Sequence, residues 1–474
     1  MRRYAWTLLV LAMACKREER PPPPTGAAAQ KPQTAPEDPC AKAHAHGAGP
    51  MAWIADDLPS ALACAGKRKV PVVLDMWAPW CHTCLSMQST VFTDDSFVAD
   101  AERFVFAALD TDRDTNADAV AKYPLSAWPT FYVIAPDGAV LARFVGGASV
   151  AQFHAFLDAG VRAMAGNPAG ADAKLLAAER ALQQKDYPTA ETQLVAALGE
   201  APKEWSRRPD ALVSLINTKS KRKDAAGCVE LAEKSLDATG NAASASDFLV
   251  IAMGCAEELG KDKANADRVQ KLRERAVVRW QALVDDASAP LSVDDRSDAM
   301  ANLRETLDAL GKKDAAKAVA EKQRALLDET AAKAATPMAA MTYNWPRSEV
   351  YVYLQRPLDL VAALEKSAND LPKEYDPRAR LGWIYLKANK LPEAAKWTDE
   401  ALALVYGPRK ARVLNQRAEI AQKQGDKAAE RRAREDIVKL WETLPPGQQQ
   451  PDALAKAKQA VADLDKPPAP EPKK

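Results

Sequence analysis

An α/β domain followed by an all-α helical solenoid is the fold this sequence predicts, on three observations. Between Met51 and about Gly166, short apolar runs alternate with helically spaced ones. Beyond Gly166-Asn167-Pro168 the chain turns to long Ala/Leu/Lys/Glu runs, with few β-branched clusters and turn residues at near-regular distances, the pattern of a helical repeat array. Ahead of both, Lys16 to about Pro50 is charged and then rich in Pro and Ala, with Pro21 to Pro24 consecutive, a composition that forms no core. A chain of 474 residues has room for about three domains. Its 65 basic and 64 acidic side chains balance, which leaves no field for nucleic acid.

At the N-terminus, Arg2 and Arg3 precede an apolar run from Ala5 to Ala14, and Ala12-Met13-Ala14 leads into Cys15. The run is short for a membrane span and reads as an export signal over residues 1–14. Leu11-Ala12-Met13-Ala14-Cys15 resembles a bacterial lipoprotein signal, which implies a lipidated Cys15, a Pro/Ala-rich tether over 15–50 and attachment to a membrane at the periplasmic face of the cell envelope. Such signals carry Leu three residues before the cysteine, whereas Leu11 stands four before it, so secretion with a free Cys15 stays open. His44 and His46 fall in the tether, and two histidines without further ligands read as solvated rather than metal-binding.

With Cys15 set aside, the remaining cysteines group as the pairs Cys40/Cys64, Cys81/Cys84 and Cys228/Cys255. An even remainder in an exported chain favours disulfides, although the connectivity of the outer pairs is open.

Within 51–166, Val70 to Met76 is a valine-rich run suited to a buried central strand, Leu85 to Val91 has helical spacing, Phe104 to Asp110 is strand-like and Asn116 to Tyr123 helical. Thr130 to Ala135 and Val140 to Val145 flank the turn signal Pro136-Asp137-Gly138, and Val150 to Met164 closes as an amphipathic helix. The order is βαβαββα. Directly behind the first of these strands stands Trp77-Ala78-Pro79-Trp80-Cys81-His82-Thr83-Cys84. Two thiols separated by two residues share the first turn of a helix, where unpaired N–H groups and the positive end of the dipole stabilise a thiolate. The pair reads as a redox-active dithiol. An inert disulfide or half of a zinc site are the alternatives, and no second Cys-x-x-Cys or His pair stands nearby to complete the latter.

That element order, with Trp77, Trp80, Cys81, Cys84 and Trp128-Pro129-Thr130, resembles the thioredoxin superfamily. Phe92-Thr93-Asp94, Phe104-Val105-Phe106, Asp110-Thr111-Asp112, Tyr123-Pro124-Leu125 and Pro129-Thr130-Phe131 make it similar in particular to the C-terminal thioredoxin-like domain of bacterial thiol reductant transporters. The resemblance implies that Cys81 is an exposed nucleophile, Cys84 the resolving cysteine and Pro129 a cis-proline facing them. It also implies that Asp75, six residues before Cys81, is a buried acid that takes the Cys84 proton. Where thioredoxins place a lysine beside that acid, this chain has Ala108. Trp80 would form an apolar rim. His82 is either an imidazolium that lowers the Cys81 pKa or a solvent-facing spacer.

In the helical part, Ala178, Ala181, Lys185-Asp186-Tyr187, Ala190, Leu194, Ala197 and Pro202 alternate small and large residues as tetratricopeptide helix pairs do. Leu381-Gly382, Tyr385, Ala394, Ala401 and Pro408 repeat the pattern behind Asp376-Pro377, an N-cap and first-turn proline, and a third unit with Leu414, Ala418, Ala421 and Gly425-Asp426 lies 36 residues on. The chain from about 171 to 464 therefore resembles tetratricopeptide-repeat proteins, which implies a curved, protein-binding solenoid ahead of a charged Pro-rich tail over 465–474. Cys228 and Cys255 fall on consecutive helices and read as a staple. Thr336 to Pro357, with Met338, Met341, Tyr343, Trp345, Tyr351 and Tyr353, reads as an irregular loop folded onto the core, with a docking surface as the alternative.

The expectation is an exported, membrane-tethered thiol-disulfide oxidoreductase that needs no cofactor and no metal. Its substrates are protein thiols and disulfides, its electrons come from a membrane thiol reductant donor if it reduces, and its repeats bind protein partners. The alternatives are a scaffold or assembly lipoprotein with an incidental or regulatory dithiol, and a copper(I) metallochaperone using Cys81, Cys84 and His82.

Overall fold

This computed structural model describes residues 38–42, 44–45, 49–166 and 168–466. The expected signal, Cys15, His46, most of the tether and the end of the tail lie outside them. Strands β1 (His44–Ala45), β2 (Ala52–Ala55), β3 (Val72–Trp77), β4 (Val105–Asp110), β5 (Thr130–Ile134) and β6 (Val140–Val145) form one sheet in the order β1-β2-β4-β3-β5-β6. β2, β4 and β3 run parallel, while β5 and β6 are antiparallel additions. Helices α1 (Leu58–Arg68), α2 (His82–Ser89), α3 (Ala117–Lys122) and α4 (Val150–Met164) complete the layers.

β3, β4 and β5 are buried almost throughout because both faces of the sheet are covered. Alternation along β3 sends Val73 into a core with Phe92, Phe106, Phe131 and Phe153, and Leu74 and Met76 into a second core with Ile54, Leu109 and Tyr132. The expected order from β3 onward is present. The expectation missed β2 and α1, although Asp57 caps α1 by accepting from the Ser60 N–H at 3.0 Å and Pro59 sits in its first turn. The end of the tether also joins the domain, since a turn of helix at Pro39–Lys42 carries Cys40 to a disulfide with Cys64 on α1.

From residue 170 onward the described residues are helical. Pairs form from α5 (Gly170–Gln183) and α6 (Tyr187–Glu200), α7 (Arg208–Lys221) and α8 (Ala225–Ser235), α9 (Ala243–Leu259) and α10 (Ala266–Asp285), and α11 (Val293–Ala309) and α12 (Lys313–Lys333). After the short α13 (Pro337–Met341) come α14 (Asn344–Tyr353) and α15 (Val361–Asp370), α16 (Asp376–Lys387) and α17 (Leu391–Leu402), α18 (Lys410–Gln424) and α19 (Lys427–Thr443), and finally α20 (Pro451–Asp463). A disulfide joins Cys228 on α8 to Cys255 on α9, the staple expected between consecutive helices. Asp376 is the first residue of α16 rather than its cap, and its carboxylate pairs with Arg380 one turn on at 2.6 Å. The segment 336–357 is helical, not irregular: Met341, Tyr343 and Tyr351 are buried, and Trp345 packs on Trp383 with ring centres 5.3 Å apart. Among the described residues no helix is long and apolar enough to cross a membrane.

The repeats wrap the α/β domain. At their start, Arg180 on α5 donates to the Val140 carbonyl at 3.0 Å, and Arg207, buried between Glu179 and Asp210, donates to the Arg143 carbonyl at 3.0 Å, so the β6 side is covered. Near their end, Gln448 donates to the carbonyls of Thr111 and Arg113 at 2.8 and 3.0 Å.

Candidate active site

The dithiol occupies the N-terminus of α2. Cys81 is the cap residue, joined in a disulfide to Cys84, and its Sγ accepts a hydrogen bond from the Cys84 N–H at 3.0 Å. On reduction, that N–H and the helix dipole favour negative charge on Cys81 rather than on Cys84. Trp77, Ala78, Trp80 and Trp128 pack around the sulfurs, with Trp80 meeting Trp128 edge-on at 5.1 Å. The Trp128-Pro129 peptide is cis.

Asp75 lies on β3, the strand that runs into Trp77 and the dithiol, opposite Ala108 on β4 and Phe131 on β5. Its side chain is buried and Oδ1 has no hydrogen-bond partner. Burial pushes its pKa up to about 8. Ala108 occupies the position where the resemblance leads one to expect a lysine, and it supplies no cation to oppose that shift.

The resemblance implies an exposed Cys81, and this is corrected: it is 4% exposed. The repeats cover the surface around it. Trp80 packs on Tyr375, Ala379, Val405 and Val413, and the Arg409 guanidinium lies 4.0 Å over its ring. The Trp80 indole N–H donates to Asp112 Oδ2 at 2.6 Å, and burial holds Asp112 up at about 7 despite that bond. The Tyr406 hydroxyl donates to Asp110 Oδ2 and the Ser86 hydroxyl to Ser292 Oγ at 3.1 Å. Two glycines allow the close approach. A Cβ on Gly407, whose φ is +59°, would stand 2.0 Å from the Asp112 carbonyl oxygen, and one on Gly447 would stand 1.9 Å from that of Ala117.

The His82 Nδ1 lies 2.9 Å from Asp294 Oδ2 on α11, so the side chain is not the solvent-facing spacer of the second expectation. Burial would lower its pKa, but the carboxylates of Asp294 and Asp298 outweigh this and push it up to about 10. Among the described residues, His82, Asp294 and Asp298 are the one group placed to hold a metal, their ligand atoms lying within 4.8 Å of one another. Protonated, His82 is itself the cation between the two carboxylates.

Sequence reasoning placed Cys81, Cys84, Trp80, Asp75 and Pro129 in one segment, and the fold brings Cys81, Cys84, Trp80 and Trp128 into one cluster. It missed Asp294, Tyr406, Arg409 and Gln448. Each reaches the site from more than 200 positions away, and a single acid or arginine on a helix face carries no local signal.

The family model of the thioredoxin-like domain matches residues 58–160. A thioredoxin of Pseudomonas aeruginosa is 35% identical over 95 residues, which cover 20% of this chain and 83% of that protein. The chain belongs to the thioredoxin family. Its thioredoxin domain contains the whole Cys-x-x-Cys turn, the buried Asp75 and cis-Pro129, and places it generally among thiol-disulfide oxidoreductases. The helices that cover the thioredoxin site lie outside the matched residues. A chain of the crystal structure of the APC/C hetero-tetramer Cut9–Hcn1 aligns over 62% of this chain and 73% of its own, at 16% identity and a TM-score of 0.16, values too low to carry an argument.

Proposed function

We propose that this protein is an exported thiol-disulfide oxidoreductase, tethered to a membrane through Cys15, acting on protein disulfides or dithiols that its repeats help to select. The observation that carries the reading is the Cys81 sulfur at the start of α2, bonded by the Cys84 N–H, with a buried acid of raised pKa, Asp75, on the strand that leads into the dithiol. In the reducing direction, the Cys81 thiolate attacks a substrate disulfide. A mixed disulfide forms, and one substrate sulfur leaves as a thiolate that takes a proton from solvent. Asp75, in its ionised form, accepts the Cys84 proton, Cys84 attacks Cys81 Sγ, the bond from Cys81 to the substrate sulfur breaks, and the second substrate thiolate departs. The Cys81–Cys84 disulfide results, two electrons having passed to the substrate, and a dithiol donor at the membrane restores the thiols. Run backwards, the same steps oxidise a substrate dithiol.

The burial of Cys81 beneath the repeats favours a second reading, a scaffold whose dithiol regulates the docking of its own helices. Carriage of copper(I) by Cys81, Cys84 and His82 is less well supported, since His82 is engaged by Asp294. Insulin reduction by the full chain distinguishes these. Turnover that Cys81→Ser abolishes, with mixed disulfides accumulating on Cys84→Ser, is expected of the oxidoreductase, and absence of turnover in the reduced wild type leaves the scaffold. Membrane attachment is checked separately, by loss of detergent partitioning and of the lipid mass in Cys15→Ser.

A further inference from the structure

Beside the dithiol the repeats and the thioredoxin domain enclose a cavity of about 390 Å³, within the size range of ligand pockets. Thr83, two residues after Cys81, and Trp128, the residue before cis-Pro129, form part of one wall. The helical wall carries five carboxylates, Asp247, Asp295, Asp298, Glu305 and Glu349, and the lining includes no lysine, arginine or histidine. These acids come from three helices. Asp295 is the reciprocal partner of Ser292 in the capping box of α11, Asp298 stands beside His82, and Glu305 lies 3.8 Å from Arg304. Asp298 and Glu305 are seven residues apart and so share one face of α11. Asp247 Oδ2 is buried without a hydrogen-bond partner, and it fits because Gly146, at φ +89°, has no Cβ: one there would stand 2.5 Å from it. Behind the cavity, Arg304 and Arg380 face Glu349, while Arg304 is held by Gln323 and stacked on Tyr353.

We propose that this cavity binds a cationic, extended segment of the substrate polypeptide next to its reacting cysteine, so that the repeats select disulfides flanked by lysine or arginine. The inference rests on the oxidoreductase reading. The acids outnumber the cations that reach them, His82 at Asp298 and Arg304 and Arg380 at Glu305 and Glu349, and Asp247 and Asp295 have no cation in the lining, so a ligand that brings positive charge is favoured, and complementarity of this kind acts on encounter rate and on choice of partner. Thr83, between the two cysteines in sequence, and Trp128, which packs on them, both line the cavity, so an occupant that carries a disulfide beside its charges can present it to the dithiol. A peptide does so; a free polyamine does not.

The test uses the full chain and two cystine-bridged model peptides of one sequence, flanked by lysines or by glutamates, together with their serine versions that cannot exchange. The lysine peptide should exchange roughly tenfold faster at low ionic strength, with the ratio shrinking as salt is added. Asp298→Asn with Glu305→Gln should bring the ratio close to one, and Asp247→Asn alone should reduce it if the double variant does not fold. Equal rates for the two peptides in the wild type, or a ratio unmoved by these variants, overturns the proposal. If neither peptide exchanges but the lysine serine peptide binds selectively, the cationic site stands and the oxidoreductase reading falls. If nothing binds or exchanges, both fall. One-to-one uptake of Zn²⁺ that is lost in Asp298→Asn, with peptide charge irrelevant, reassigns the acids to a metal and also overturns it.

Discussion

Two side chains set the chemistry at the residue scale, and both hold pKa values raised by the fold. Asp75 stays protonated to about pH 8 in the native state but ionises near 3.8 in the unfolded chain. The native form therefore binds the extra proton between these values, and stability is lost as pH rises from about 4 to 8. Asp75→Asn should raise the melting temperature more at pH 8 than at pH 5 while slowing resolution of the mixed disulfide, as read by calorimetry and by trapping kinetics. A gain that is the same at both pH values would contradict the assignment. His82 has the same sign from the opposite charge type. Its folded pKa of about 10 lies above the unfolded 6.5, so its contribution is complete below about pH 6.5 and is lost as pH rises to 10. His82→Gln leaves the fully buried Asp294 without its counter-charge and should cost about 3 kcal/mol at pH 6 and much less at pH 10, as measured by denaturant titration.

Single elements carry the next set of consequences. The start of α2 makes Cys81 the more acidic thiol, whereas Cys84, 1% exposed, lies inside the first turn. The turn between α17 and α18 matters as much, because Gly407 lets the backbone pass Asp112 and the loop carries Tyr406 and Arg409 onto the site. Gly407→Ala forces a side chain into a left-handed conformation and against a carbonyl, and should weaken docking by about 1.4 kcal/mol or more. Reduced Cys81 should then alkylate roughly tenfold faster than in the wild type, the ratio that energy corresponds to. An unchanged rate would mean that this turn does not shield the thiol. In the middle of the array, α8 and α9 are closed into one loop by Cys228–Cys255, which spans 27 positions. Cys228→Ala with Cys255→Ala should cost about 3.6 kcal/mol by the loop-entropy relation while leaving Cys81–Cys84 exchange intact, as measured by urea melts and insulin reduction.

Across the whole molecule, the repeats contact the thioredoxin domain at the β6 side, at the start of α2 and beyond β4, so access to Cys81 is a property of the assembled chain. Crowded acids lie along the seam. Burial and the neighbouring Asp295 raise Asp247 to about 7, and burial and Asp294 raise Asp295 to about 6. Both shifts work in the direction of Asp75: the folded state loses stability as pH rises from about 4 towards 7. Docking should therefore loosen on passing from pH 5 to 8. Limited proteolysis of the interdomain turns, or hydrogen exchange at α2, should show faster opening at pH 8, and equal protection at both values would argue against an electrostatic seam.

What the sequence by itself determined was whatever is written within a few turns of chain. The strand run into Cys81-His82-Thr83-Cys84, the hairpin at Pro136-Asp137-Gly138, the proline at 129 and the helix pairs around Gly382 and Ala418 are local patterns, because apolar periodicity, turn residues and cap positions act over short separations. β2 escaped because a strand of four residues, of which only Trp53 and Ile54 are buried, offers no usable period. Tertiary structure alone decided that Trp80 would be roofed by Arg409, that His82 would find Asp294, and that five carboxylates would share a cavity with Thr83 and Trp128. Those contacts join residues hundreds of positions apart. They depend on the curvature of stacked helices and on small residues such as Gly407 and Gly447 at the points of approach, and neither curvature nor approach has a period that a sequence can display.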